Sequence, residues 1–437
     1  MYLTKNTIIA LIAILVVFCL YSISWTFIFI GIGLLTAFVL FFLFDLTSVF
    51  KKTGGFECSR DCPNRLSNGD DNTVKITVKN LYPKAVSIQI IDEIPVEFQK
   101  RDFLIKAKLE AGETKDFTYS LVPTKRGEYI FHDLNIFVTS RFKLLERKFK
   151  YDLQWKSKVY PSYTIIRNTQ LLSPENKNRE LGIKNVRRIG QSLEFENIKE
   201  YVKGDDYRSI NWKASARKHQ LMCNVYSDEQ SQQIYNIIDK GKGMQQAFNG
   251  MTLLDYSINA AVALSFVAIS HNDNAGLITF EKNVTTHLPA NKKRNQINLI
   301  LENLYNEKTD FKHSDFSTLH EYCKKKITKR SLFIIYTTFD SMASMERQLP
   351  FLRLLSQKHI VLLVFFKDSE LEQLSEKELT KESDYYRQTI AEKFIFEKKL
   401  IINKLRQSGI YSILSRPEDL RAKTINKYIE MKAHRII

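Results

Sequence analysis

The chain is expected to be multidomain: a two-helix transmembrane hairpin, then a β-sandwich, then an α/β doubly wound domain. Three observations predict this. Residues 7 to 44 are almost uninterrupted apolar, residues 56 to 159 alternate apolar and polar in short runs, and from 230 to 437 apolar strand-like runs alternate with helical stretches. A length of 437 residues accommodates two or three domains, and 44% hydrophobic content supplies cores for them. The formal charge of +17, from 65 basic and 48 acidic residues, suits a membrane face or an acidic partner. With no arginine-rich tract or nucleic-acid motif, nucleic acid is not an expected partner.

The first element is the apolar stretch. It breaks only at Ser24-Trp25, which splits it into helices of about 7–23 and 26–44. Each half approaches the ~20 residues that a helix needs to cross the hydrocarbon layer. A cleaved signal peptide would have a shorter apolar run followed by a small-residue cleavage site. Two spans leave both ends on one side, and Lys5, Lys51, Lys52 and Arg60 place that side in the cytoplasm by the positive-inside bias. The bulk of the chain is therefore expected to face the cytoplasm, anchored to a bacterial inner membrane. The five cysteines agree with a reducing compartment. Their number is odd, and Cys58 and Cys62 lack a second Cys or His pair to complete a zinc site.

From 56 to 159, runs such as Thr73 to Asn80 and Val86 to Ile91 alternate with period two. Turn pairs Asn68-Gly69, Ala111-Gly112 and Arg126-Gly127 separate them, so the region reads as a β-sandwich of six to eight strands. It contains no catalytic cluster, and its lone His132 suits a packing role. Residues 160 to 229 hold a linker of low apolar content, with Lys184, Arg187 and Arg188, followed by a dense segment.

That segment carries Glu194, Glu196, Glu200, Tyr201, Gly204, Asp205 and Asp206, then Arg208, Asn211, Trp212, Lys213 and Arg217. Two readings of it stand. The carboxylates can act as general acids or as ligands of a hard cation, which makes a metal-dependent hydrolase the alternative function. Otherwise Gly204-Asp205-Asp206 is a turn, Arg208 and Arg217 are its bidentate partners, and Trp212 plugs the segment against a neighbour. The second reading is favoured, because cations are as numerous as acids and no His lies between Asp205 and Arg217. The pattern E-F-x-x-x-x-E-Y-x-x-G-D-D-x-R-x-I-N-W-K-A-S-A-R from Glu194 to Arg217 closely resembles the signature of the bacterial domain of unknown function 58 family. The resemblance implies membrane anchoring, a β-rich region, a von Willebrand factor type A-like domain, and a MoxR-type AAA+ ATPase as partner. It implies no reaction.

The strands of the last domain are expected at Ile234–Ile238, Gly276–Phe280, Leu332–Tyr336, Ile360–Phe366 and Tyr411–Leu414, and helices at Leu253–Ile269, Ile297–Tyr305, Met345–Ser356, up to about Arg406, and at the end. Apolar strands joined through helices require a parallel sheet covered on both faces. This order is similar to the von Willebrand factor type A fold across roughly 230 to 437. In that family a metal-ion-dependent adhesion site begins with Asp-x-Ser-x-Ser after the first strand. Here the matching residues are Asp239, Lys240, Gly241, Lys242 and Gly243, with both hydroxyls missing, and Thr338 stands where a second acid is expected. Mg²⁺ needs near-octahedral oxygen ligation, and Lys240 and Lys242 add positive charge beside a single carboxylate. Asp255 or Asp340 would have to reach in to complete a site. No cofactor is expected, although a Gly-Lys-Gly turn can also hold an anion. The charged helices near 376–381 and 392–406 suit a solvated, ion-paired face or a docking surface.

Without a nucleophile and its base, the expected function is a non-enzymatic interaction or scaffold protein with a degenerate adhesion site. A metal-dependent adhesion protein is the other alternative.

Overall fold

The computed structural model describes residues 2–20, 25–49, 55–100, 103–140, 142–163, 194–202, 205–227, 231–293, 295–307, 309–339, 341–367, 374, 382–434 and 436–437. The chain divides into two compact units, Met1–Val159 and Tyr160–Ile437.

The first unit begins with β1 (Tyr2–Leu3), α1 (Lys5–Cys19) and α2 (Thr26–Val49). Segment 27–46 of α2 is long and apolar enough to cross a membrane and is almost entirely uncovered by protein. Helix α1 is shorter than expected: 15 residues rise only about 22 Å, less than the ~30 Å hydrocarbon core. Its apolar side chains Ile8, Ile12 and Leu15 are exposed. Both helix ends meet one turn of the β-region. Thr4 and Thr7 donate hydroxyl hydrogen bonds to the Leu144 carbonyl, and the Phe142 N–H donates to buried Asp45 Oδ1 at 3.4 Å. The Phe41 and Phe142 rings lie 4.4 Å apart. Of the expected break, Ser24 lies outside the described residues and Trp25 is exposed.

Strands β2 (Phe56–Asp61), β3 (Arg65–Ser67), β4 (Asn72–Asn80), β5 (Val86–Asp92), β6 (Ile105–Leu109), β7 (Thr114–Leu121), β8 (Gly127–Phe131), β9 (Leu134–Thr139), β10 (Leu145–Tyr151) and β11 (Trp155–Tyr160) follow. Together with β1 they form sheets ordered β1-β10-β9-β5-β6, β2-β4-β7 and β3-β11-β8. The expected six to eight strands become ten from β2 to β11, because short strands such as β3 carry too little pattern to be read. Alternate residues of β4 and β5, including Val74, Ile76, Ile88 and Ile90, enter one core shared by strands of all three sheets. Layered sheets around one core are the arrangement that a sandwich requires. Buried Arg60 reaches Asp92, which also accepts a hydrogen bond from the Tyr119 hydroxyl at 2.5 Å. Most of the expected linker, residues 164–192, lies outside the described residues.

The second unit contains the antiparallel pair β12 (Glu194–Glu200) and β13 (Met222–Ser227), with α3 (Trp212–Lys218) between them. The remaining strands are β14 (Gln233–Asp239), β15 (Ala247–Phe248), β16 (Met251–Thr252), β17 (Asn274–Phe280), β18 (Val284–Asn291), β19 (Leu332–Tyr336), β20 (Ile360–Phe366) and β21 (Tyr411–Ser415). The helices are α4 (Leu253–Ser270), α5 (Gln296–Tyr305), α6 (Phe316–Lys326), α7 (Met342–Lys358), α8 (Glu382–Gln407) and α9 (Leu420–Ala433). Six strands form one sheet ordered β18-β17-β14-β19-β20-β21, parallel except for β18 at the edge. Ile234, Ile238 and Ile334 bury one face against α4, α5 and α9. Tyr235, Ile237 and Ile335 bury the other against α6, α7 and α8. The doubly wound architecture follows from this alternation, since both faces of each central strand are covered.

Candidate functional site

Two groups of residues compete as the site, and both lie in the second unit. In the dense segment, β12 and β13 run in register from Glu194 opposite Ser227 to Glu200 opposite Met222, with a bulge between Phe195 and Asn197. The side chains of Glu194 and Glu196, and all of Gly204, lie outside the described residues. Asp205 closes the turn beyond β12. Its Oδ1 accepts from Lys199 Nζ at 2.9 Å, and its Oδ2 accepts from the Val202 N–H at 3.1 Å. The Lys199 hydrogen bond, then that of Val202, holds the carboxyl below the usual carboxylate value. Asp206 caps the single 3-10 turn Tyr207–Ser209 by accepting from the Arg208 N–H at 3.0 Å. Asn211 caps α3 by accepting from the Ala214 N–H at 3.0 Å, and its amide donates to Asn224 Oδ1 at 2.9 Å. Buried Ser215 accepts from the Met222 N–H at 2.8 Å and ties α3 to β13.

Two expectations are corrected here. Asp205 is paired by Lys199 rather than by Arg208 or Arg217, because the chain reverses directly between β12 and the turn and brings Lys199 alongside. Trp212 is not a buried plug: it is 71% exposed at the first turn of α3. Tyr207 is 68% exposed, with the Arg208 guanidinium 5.7 Å from its ring centre. Lys213 and Arg217 are also exposed, and their spacing of four places them on adjacent turns of one helix stripe. Glu200 is exposed and Tyr201 half-buried. Asp205 and Asp206 thus shape the backbone, while Tyr207, Arg208, Trp212, Lys213 and Arg217 face outward.

The second group lies at the carboxyl end of β14. Asp239 is buried, and its Oδ1 accepts from the Gly241 N–H at 2.8 Å and from the Ser314 hydroxyl. Its Oδ2 accepts from Thr337 Oγ1 at 2.7 Å. Burial pushes the carboxyl up, against these three hydrogen bonds. Thr337 reaches Asp239, whereas its neighbour Thr338 lines an apolar cleft with Phe339, Phe365 and Ile401. The one-residue difference places consecutive side chains on opposite sides of the strand continuation. Ser314, a residue with no motif around it, was not legible at all. A Cβ on Gly241 would fall 1.9 Å from the Ser314 hydroxyl, so the glycine is required by the serine beside it.

Lys240 does not crowd Asp239 as expected. Its side chain is buried and pairs with Glu307 at 2.5 Å, and Glu307 also accepts from Thr279 at 3.1 Å and Thr286 at 2.8 Å. Lys242 is exposed, and Gly243 lies in a short 3-10 turn. Asp255 is tied to Thr252 at the start of α4, while Asp340 lies outside the described residues. Among the described residues no three His, Cys, Asp or Glu side chains converge as a metal site. The donor set at Asp239 fits a divalent cation poorly, since it offers one carboxylate whose two oxygens already accept three hydrogen bonds.

Comparison with known proteins places part of this unit. A model described as "Protein of unknown function DUF58" matches residues 197–390. The chain is 26% identical over 196 residues to the "Uncharacterized protein YeaD" of Bacillus subtilis (strain 168), covering 42% of this chain. It spans about half the length of that relative, 48%. Among solved structures, a conserved hypothetical protein BatB from Bacteroides thetaiotaomicron aligns with 47% of this chain and all of its own, at 11% identity and a TM-score of 0.30. The CARDB domain of the PF1109 protein from Pyrococcus furiosus aligns with 25% of this chain and 90% of its own, at 18% identity and a TM-score of 0.20. Neither score carries an argument about fold.

Proposed function

We propose that this chain, matched over 197–390 by a family without an assigned reaction, is a membrane-anchored, non-enzymatic interaction protein. Its larger part faces the cytoplasm and docks a protein partner through the 207–217 segment. The observation that carries this reading is the exposure of Trp212 and Tyr207 beside Arg208, Lys213 and Arg217. Trp, Tyr and Arg are the residues that most often anchor protein interfaces, and here the backbone beneath them is fixed by Asp205, Asp206 and Asn211. A MoxR-type AAA+ ATPase is the proposed partner, on the resemblance of the 194–217 pattern. A von Willebrand factor type A-like identity for residues 230–437 draws support from the strand order, from antiparallel β18 at one edge, and from Asp239 at the end of β14. Its adhesion site is degenerate, with Asp239 serving as a lock between loops.

The test is co-purification of the full chain with a MoxR-type ATPase from the same cells. Trp212→Ala combined with Arg217→Ala should lower ATPase recovery by about tenfold or more, as loss of two anchor side chains does. The melting temperature should stay unchanged because both side chains project outward. Undiminished recovery would overturn the assignment.

A further inference from the structure

The first unit contains a groove of about 1220 Å³ at the foot of α1. Its floor is the outer face of the five-stranded sheet, where Glu146, Thr139, Ser87 and Lys108 sit opposite one another across β10, β9, β5 and β6. Lys106 and Lys108, two residues apart on edge strand β6, both point outward. Lys84, Lys143 and Lys5 complete the basic lining, which contains five lysines against the single acid Glu146. Lys5 is the first residue of α1, and Thr4, at the helix start, gives it no side-chain cap because its hydroxyl is turned to the Lys143 and Leu144 carbonyls. A helix amino terminus and five lysines thus border one concavity, although the Lys108 ammonium also pairs with Glu110 at 3.3 Å.

We propose that this groove binds the phosphodiester headgroup of an anionic phospholipid. The position selects the lipid over a soluble anion: from Ile8 onward the same helix exposes apolar side chains, so its foot lies at the level where headgroup phosphates sit. Lysines at this depth reach phosphate while their aliphatic stems follow the interface. The small floor residues Ser87 and Thr139 leave room for a headgroup, and Ser87 offers a hydroxyl to its oxygens, the Thr139 hydroxyl being turned to Glu146 at 3.5 Å. The inference rests on the membrane anchoring proposed above.

Two measurements separate the readings. The full chain in detergent is titrated with phosphatidylglycerol or phosphatidylcholine and bound lipid is counted by native mass spectrometry, while alkaline washing of membranes tests anchoring. Phosphatidylglycerol should be preferred, and Lys106→Gln with Lys143→Gln should weaken its binding about twenty-fivefold, at about fivefold per lysine near an anionic surface. Lys79→Gln with Lys115→Gln, on a different sheet, should change it little. Equal loss from both pairs, equal binding of the two lipids, or displacement by inorganic phosphate would overturn the groove assignment. A chain that washes out of membranes but keeps the lipid preference would overturn anchoring alone.

Discussion

At the scale of single residues, Asp239 and Gly241 define what the end of β14 does. The contact between Gly241 and Ser314 is so close that any side chain at 241 must displace the serine. Gly241→Ala is expected to destabilise the chain by about 1–3 kcal/mol, the range for overpacking, and Ser314→Gly in the same chain should recover much of the loss. Thermal melts of the four variants in a double-mutant cycle check this. Asp239 gives a pH prediction. Its folded value lies above the ordinary 3.8, so between the two values the folded state holds more protons than the unfolded one. The contribution of this group is therefore fully present below pH 3.8 and is lost as pH rises through the folded value. The gap in melting temperature between Asp239→Asn and the unaltered chain should change over that window and flatten above it. Asp239 was legible in the sequence as an acid ending an apolar strand. Ser314 and Thr337 were not, because they arrive from loops 75 and 98 residues away.

At the scale of elements, the Lys240–Glu307 pair joins the end of β14 to the segment after α5. Their side chains are only 3% and 8% exposed. Removing one partner leaves a buried charge, so Glu307→Gln should cost about 3–5 kcal/mol, whereas Lys240→Met with Glu307→Leu should cost far less. Chemical denaturation of the two variants and the unaltered chain distinguishes these outcomes. Turn-forming Asn211 makes a smaller prediction: Asn211→Ala removes the cap of α3 and should cost about 1 kcal/mol, while Trp212→Ala should stay within about 0.5 kcal/mol. The central strands and α4 were readable because burial on both faces makes their sequences continuously apolar. Edge strand β18, VTTHLPAN, was missed because it is only half-buried and contains Pro289. Helix α6 was missed because its lysine-rich end dilutes the stripe formed by Phe316, Leu319 and Cys323.

At the scale of the whole molecule, the chain divides into Met1–Val159, which holds the period-two β-strands, and Tyr160–Ile437, which holds the alternating helices and strands. The apolar amino-terminal stretch was legible from composition, though the helix bounds moved from 7–23 and 26–44 to Lys5–Cys19 and Thr26–Val49. Its consequence is measurable: the full chain should remain with membranes after an alkaline wash, and a chain starting at Gly55 should be released. One property of the larger sheet bears on how the protein is made. Strand β14 sits between β17, about 40 residues downstream, and β19, about 100 residues downstream, and both pairings are parallel. During synthesis β14 can gain β17 early, but its other margin stays open to any stray extended segment until Tyr336 has been made. A nascent chain halted in α6 would lack β19 and leave one side of β14 unpaired, an exposed strand margin of the kind that invites misassembly.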